Sequence, residues 1–300
     1  MKVEEIVKEK FLKALKENKE AVWTSPYVGP RVAINRVTKK PYRGINILFL
    51  HGEYASYKEW TERGFHPEKG KSELCFFNTR KEYDQLDENG TPILNKKGEK
   101  LKKSVWIMRF YYIWERHNVK NDKGEIAPSV LPPSEIDKTP ATKREKKAKD
   151  ILLTYMKTNG ITYSETAENM AYFIPAKNHI HMPEKMKSET ARIGTLAHEC
   201  AHSTGASHLL DRKLAEGTSR EAYSREELIA ETASAIFCTE NGVNVDLDNS
   251  AAYIKGWYKY INETPAKTII AAIYQAQKAS RLMNGESLAK IKDNGNTKAA

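Results

Sequence analysis

Apolar residues first recur at helical spacing at the very start of the chain. Val3, Ile6, Val7, Phe11, Ala14 and Leu15 share one side of "MKVEEIVKEKFLKALKENKEAVW", which predicts an amphipathic helix. Pro, Gly and Asn then break "TSPYVGPRVAINRVTKKPYRGINILFL" into turns, ending in an apolar run, Ile45 to Leu50. That run reads as a buried strand or the start of a helix. Tyr54, Tyr57 and Trp60 fall on a predicted helix, and a turn at "HPEKGKSE" leads into a strand at Glu73 to Phe77. Asn89-Gly90 and Lys97-Gly98 mark hairpin turns before a strand rich in β-branched and aromatic residues, Val105 to Trp114. The aromatic residues of that strand read as core.

The character of the chain changes after residue 120. Pro128, Pro132, Pro133 and Pro140 and the basic run "KREKKAKD" predict a linker over 121–147, whose end can already belong to the next helix, Asp150 to Asn159. "AYFIPAKNHIHMP" predicts a hairpin of Ala171–Ile174 and Asn178–Met182, an edge on which an extended peptide could pair. His179 and His181 alternate there, as expected of a solvent-facing pair rather than of metal ligands. Ile193, Leu196, Ala197, Cys200 and Ala201 then form the stripe of a half-buried helix that stops near Gly205. Leu228, Ile229, Thr232, Ala233, Ile236 and Phe237 mark a second, and "NSAAYIKGWYKYI" and "PAKTIIAAIYQAQKASRLMN" two more. No internal repeat is visible. The pattern predicts an α+β chain of two domains: a mixed α/β domain over 1–120, the linker, a mainly helical domain with a small hairpin or sheet over 148–290, and a polar tail over 291–300.

The helix at Ile193 carries His-Glu-x-x-His: His198, Glu199 and His202. Histidines four apart lie one turn apart on one side of a helix, so both imidazoles can reach one zinc ion. Glu199 is turned about 100° from His198, away from the ligand role but placed to take a proton from water at the metal. A third ligand is needed. "YSREELIAETASAIFC" offers Glu227 and Glu231, four apart on a face with Ser234, Ala235 and Cys238, small enough for close helix approach. Glu227 is the preferred ligand and Glu231 the second choice; the acid that does not bind metal could orient a ligand histidine. The plainer alternative stays open: Ser224-x-x-Glu227 is also a capping box, and Glu226 and Glu231 could be solvated surface charges.

Charge alters the picture of the first half. The formal net charge is +10, and residues 1–149 hold 32 Lys and Arg against 21 Asp and Glu, whereas 150–300 hold 17 against 18. All of the excess is N-terminal, which points to a polyanion partner for that half. Trp23, Tyr27, Arg31, Arg36, Lys39, Lys40, Tyr42 and Arg43, with Lys69 and Lys71 further on, interleave rings and cations, as single-strand binding requires. Three cysteines without C-x-x-C spacing argue for a reducing compartment. The start lacks the apolar core of a signal peptide and no run is long enough to span a membrane, so a soluble cytoplasmic protein is expected.

Taken together, "SPY…PYRGINILFL" resembles the single-stranded-DNA-binding domain of ArdC-type antirestriction proteins. "LAHECAHSTGA", "YSREELIAE" and "NSAAYIKGWYKYI" resemble the polyvalent-protein metallopeptidase domain that follows it in that family. The resemblance covers roughly residues 5 to 285 and is most specific in the peptidase motifs. It implies a plasmid- or phage-encoded protein that coats incoming single-stranded DNA and protects it from restriction. It further implies a zincin-like C-terminal fold, zinc on His198 and His202, a catalytic Glu199 and a third ligand from "EELIAE". Tyr223 and His208 are candidates for the oxyanion donor. Two other functions compete: a regulatory zinc peptidase with a specific protein substrate, whose basic half binds protein or double-stranded DNA, and a non-enzymatic DNA-coating protein with a structural zinc.

Overall fold

A computed structural model describes residues 2–17, 33–130, 140–214, 219–243 and 251–293. The amphipathic start is helix α1, Val3–Glu17, with Val7 and Phe11 fully buried. The N-terminal half continues as a four-stranded sheet of order β1-β2-β5-β4, made of β1 (Ile34–Asn35), β2 (Glu53–Ser56), β4 (Ser72–Asp84) and β5 (Lys102–Glu115). The predicted strands at 73–77 and 105–114 are the inner parts of β4 and β5, which pair antiparallel from Ser72↔Trp114 to Asp84↔Lys102. Isolated pairs at Leu86↔Pro92 and Leu94↔Lys100 extend them into an arm. Its turns use Gly90 and Gly98 at φ +80° and +77°, a backbone region open to glycine.

Two short elements differ from expectation. The apolar run at Ile45 is a 3₁₀ turn, Gly44–Leu48, rather than a strand or α-helix. Asn46 explains why: its buried side chain donates to Phe76 O at 2.7 Å and accepts from Phe76 N at 2.8 Å. A side-chain amide thus satisfies the edge of β4 that a strand would have paired. Tyr54 belongs to β2, and only Tyr57–Thr61 is helical (α2), started by a capping box between Ser56 and Glu59. A small ribbon of β3 (His66–Pro67) and β6 (Val119–Lys120) closes this half.

Helix α3 runs from Ala141 to Thr158 and takes in the basic run of the expected linker. A three-stranded sheet of order β7-β9-β8 follows, built from β7 (Thr162–Thr166), β8 (Tyr172–Ile174) and β9 (His179–Pro183). The predicted hairpin is β8–β9; β7, parallel to β9, went unforeseen. Helices α4 (Glu189–Ser203), α5 (Arg220–Glu240), α6 (Ala251–Glu263), α7 (Ala266–Met283) and α8 (Leu288–Asp293) follow among the described residues. Helix α8 occupies the start of the stretch expected to be a polar tail, and Ile291 is fully buried.

One hydrophobic core joins the two halves. It contains Phe11, Ile45, Ile47 and Phe76 together with Leu152, Met182, Leu196, Phe237 and Ile273. Helix α1 packs on α6 and α7, and the 3₁₀ turn packs on α7. The α+β arrangement, with a mainly helical C-terminal part, is as the sequence predicts.

Candidate metal centre

Ser188 caps α4, accepting from Ala191 N at 3.1 Å. The buried stripe Ile193, Leu196, Ala197, Cys200 and Ala201 faces the core, which turns His198 and His202 toward α5. Their Nε2 atoms lie 3.1 Å apart. Glu227 straddles them, with Oε2 3.6 Å from His198 Nε2 and Oε1 3.5 Å from His202 Nε2. One ligand atom from each of His198, His202 and Glu227 falls within 4.8 Å of the others, the only such set among the described residues. Two zinc–nitrogen bonds of about 2 Å at a tetrahedral angle place nitrogens about 3.3 Å apart, so this donor set fits zinc and leaves a fourth position open.

A second layer fixes the imidazoles. His202 Nδ1 meets Glu226 Oε1 at 3.2 Å. Arg212, its side chain almost wholly buried, donates to Glu226 through Nη2 at 2.7 Å and Nε at 3.0 Å. The same guanidinium donates to Ala201 O at 2.8 Å and Thr204 Oγ1 at 2.7 Å, tying the end of α4. Burial opposes the charge on Glu226, but the bonds from His202 and Arg212 outweigh it and hold the carboxyl below its ordinary range. On the other side, His198 Nδ1 faces Glu231 Oε2 across 3.8 Å. Glu226 is therefore no solvated surface charge. The signal that could have found it is Arg212, the cation that a buried acid requires.

Glu199 points into the same site and is 6% exposed. Burial raises its carboxyl pKa, partly offset by His198, His202 and the backbone of Phe173. An acid whose pKa is raised beside a donor set is suited to take up and return a proton. Phe173 lies on β8, an edge of its sheet. A cavity of about 470 Å³ opens beside it, lined by Phe173, Pro175, Ala206, His208 and Leu214 among others. Tyr223, one turn before Glu227, is mostly exposed, and its hydroxyl is among the groups that hold the Glu227 carboxyl below its ordinary range. His208 is exposed on the cavity rim, with no contact to the donor cluster among the described residues.

The strand histidines do not both face solvent as expected. His181 is buried, stacked on Tyr172 with centroids 4.7 Å apart, and bonded to Ser164 and Thr166. His179 bonds Thr162 at 2.8 Å and Ser164 at 2.9 Å. The unforeseen strand β7 supplies these hydroxyls.

The DNA-contact candidates divide three ways. Trp23, Tyr27 and Arg31 lie outside the described residues. Lys39, Lys40, Arg43, Lys69 and Lys71 are exposed. Arg36 and Tyr42 are corrections, because both are buried. Arg36 pairs with Glu53 at 3.3 Å, donates to Pro128 O and sits 4.9 Å over the Trp60 ring. Tyr42 packs with Leu50, Tyr54, Cys75 and Ile113. A buried cation held by its own carboxylate is not available to a phosphate.

With this geometry in place, the comparisons define the class. Residues 152–275 match the family model described as a zincin-like metallopeptidase, and residues 1–114 match the N-terminal domain of the anti-restriction factor ArdC. The fold is that of two solved structures of the antirestriction ArdC protein from the R388 plasmid. The metal-free form has a TM-score of 0.64 at 22% identity, over 98% of this chain and 99% of that one. The Mn(II)-bound form has a TM-score of 0.61 at 21% identity, over 94% and 97%. The chain thus joins an N-terminal segment that matches the ArdC N-terminal domain to a segment that matches a zincin-like metallopeptidase, in a fold shared with ArdC. Among curated relatives, two Escherichia coli proteins named DNA primase TraC are 29% and 28% identical over 89% of this chain. The chain spans only 19% and 26% of their lengths. An uncharacterized protein y4eC of Sinorhizobium fredii is 26% identical over 84% of this chain and 81% of its own. No helix among the described residues is long and apolar enough to cross a membrane.

Proposed function

We propose that this chain binds single-stranded DNA through its basic first half, protects incoming plasmid or phage DNA from restriction, and carries a zinc peptidase centre on its second half. The observation that carries the peptidase reading is the three-donor set His198, His202 and Glu227 with buried Glu199 beside it. A purely structural site needs no such acid. Bound zinc would supply a Lewis acid that lowers the pKa of water toward neutrality and polarises the scissile carbonyl. Glu199 accepts the proton of the attacking water and passes it to the leaving amine. Glu226 and Arg212 hold the tautomer and aim of His202, and Glu231 faces His198. The free edge of β8 beside Glu199 suits an extended peptide, and Tyr223 is the nearer candidate to steady the oxyanion.

Exposed Lys39, Lys40, Arg43, Lys69 and Lys71 support DNA contact. The test is binding of a labelled single-stranded against a double-stranded oligonucleotide by the full chain across a salt series. Preferential single-strand binding that weakens steeply with salt supports the reading. Equal or absent binding of the single strand by folded protein overturns it and leaves a peptidase with a protein partner.

A further inference from the structure

Away from the metal centre, a cavity of about 570 Å³ opens where the first half of the chain meets the C-terminal helices. Arg43 and Gly44 reach it from the start of the 3₁₀ turn, Tyr274, Gln277, Lys278 and Arg281 from α7, and Lys290 from α8. Two carboxylates also line it, and both are engaged. Glu286 takes Arg281 through two bonds at 2.5 and 2.7 Å, with Lys290 3.8 Å away. Glu240 accepts from Ser280 Oγ at 3.2 Å and Asn284 Nδ2 at 3.0 Å. Arg43 and Lys278 form no direct ion pair among the described residues; Arg43 interacts with Glu240 and Glu286 only at longer range, and four cations against two carboxylates leave the wall net positive.

A second observation is independent of charge. Gln277 Nε2 is buried and has no hydrogen-bond partner among the described residues. A buried donor without an acceptor is unfavourable and marks a place where an acceptor is expected. The Gln277 amide lies against Gly44, where an added Cβ would stand 3.5 Å from Oε1, and Gly44 has φ +69°, so any side chain there would be strained. The Tyr274 ring is fixed by its hydroxyl, which donates to Asn78 Oδ1 at 2.7 Å.

We propose that this cavity binds one nucleotide, with Arg43, Lys278 and the Gln277 amide on phosphate oxygens and the nucleoside toward Tyr274. Two unpaired cations and an unmet N–H donor call for an anionic acceptor. The volume exceeds what a bare anion fills and lies in the range of small-ligand sites. The nucleotide can be free or one unit of a bound strand; the second form rests on the single-strand reading above.

The test uses the full chain with three probes: AMP, inorganic phosphate and a labelled twenty-residue oligothymidylate. Saturable AMP binding that weakens at least tenfold in Arg43→Gln/Lys278→Gln supports the free form. No AMP binding, but a tenfold loss on the oligonucleotide with a salt slope shallower by about one to two, supports the strand form. Phosphate binding as tightly as AMP reduces the site to an adventitious ion only and overturns the proposal. It is equally overturned if AMP does not bind and the double variant holds the oligonucleotide within twofold of wild type, while Lys69→Gln/Lys71→Gln weakens it; the single-strand reading then survives. AMP binding without oligonucleotide binding does the reverse. If the double variant does not fold, photocrosslinking of wild type with 8-azido-AMP and a 5-bromouracil oligonucleotide decides. An adduct on residues 268–278 from either probe supports the site, and adducts from both only elsewhere overturn it.

Discussion

Arg212 grips Glu226 through two hydrogen bonds, at 2.7 and 3.0 Å, and Glu226 in turn holds His202 Nδ1 at 3.2 Å. A loop arginine thereby sets the aim of a metal-donor histidine from behind. Glu226→Gln should weaken zinc binding about 10- to 100-fold with the fold intact. Arg212→Ala should do more harm, about 3–5 kcal/mol of stability, because it strands a buried carboxylate. Competition with a zinc-responsive dye and thermal melting read the two effects separately; equal zinc affinity in Glu226→Gln would show that His202 needs no such partner.

Glu199→Gln should keep zinc and lose hydrolysis of a peptide substrate. Its side chain lies beside the donor set rather than in it, and the amide cannot take up a proton. Metal content by mass spectrometry, set against a peptide-library cleavage assay, checks this. Loss of the metal along with the activity would place Glu199 among the ligands.

Glu227 and Glu231 should separate cleanly. Glu227 faces both Nε2 atoms, whereas Glu231 faces only the far nitrogen of His198. Glu227→Gln should reduce zinc affinity by several orders of magnitude, and Glu231→Gln by about tenfold. The reverse order would exchange their roles.

Zinc uptake should release protons. In the metal-free site, burial opposes charge on His198, but Glu227 and Glu231 outweigh it and hold its pKa up to about 10. An imidazole must be neutral to bind metal through nitrogen. Release of about one proton is therefore expected near pH 7.5, declining as pH rises through about 10. The same shift stabilises the metal-free fold: the folded pKa lies above the unfolded value of about 6.5, so the contribution is complete below pH 6.5 and is lost as pH approaches 10. Calorimetry in buffers of different ionisation enthalpy counts the protons, and a count of zero would show His198 already neutral.

Phe11→Ala should cost about 3–5 kcal/mol. Phe11 is wholly buried in the core shared with the C-terminal helices, so unfolding should stay a single transition with a lower midpoint. Two separate transitions in a calorimetric scan would show halves that fold independently.

Much of this was legible in the sequence, for identifiable reasons. Helix α4 declared itself because its apolar stripe and its histidines fall on different sides of one 3.6-residue period. The small residues beside Glu227 and Glu231 implied a close helix contact, but lying beside both acids they could not choose between them. Glu226 was passed over because its partners, Arg212 and His202, come from other segments, and periodicity along α5 says nothing about them. Arg36 and Tyr42 looked like binding residues because loop composition cannot show that Glu53 and Trp60 enclose the first, or that Leu50, Tyr54 and Cys75 enclose the second. The 3₁₀ turn was hidden for a similar reason: the rival for its backbone pairing was a single side chain, Asn46.

The docking of α1 on α6 and α7 has a consequence for synthesis. The segment that covers Val7 and Phe11 is made more than two hundred residues after them. At ribosomal speeds of about 5–20 residues per second, these two side chains wait in the open for about ten to fifty seconds. The charged residues spaced between them, Lys8, Glu9 and Lys10, keep the nascent helix wettable during that interval.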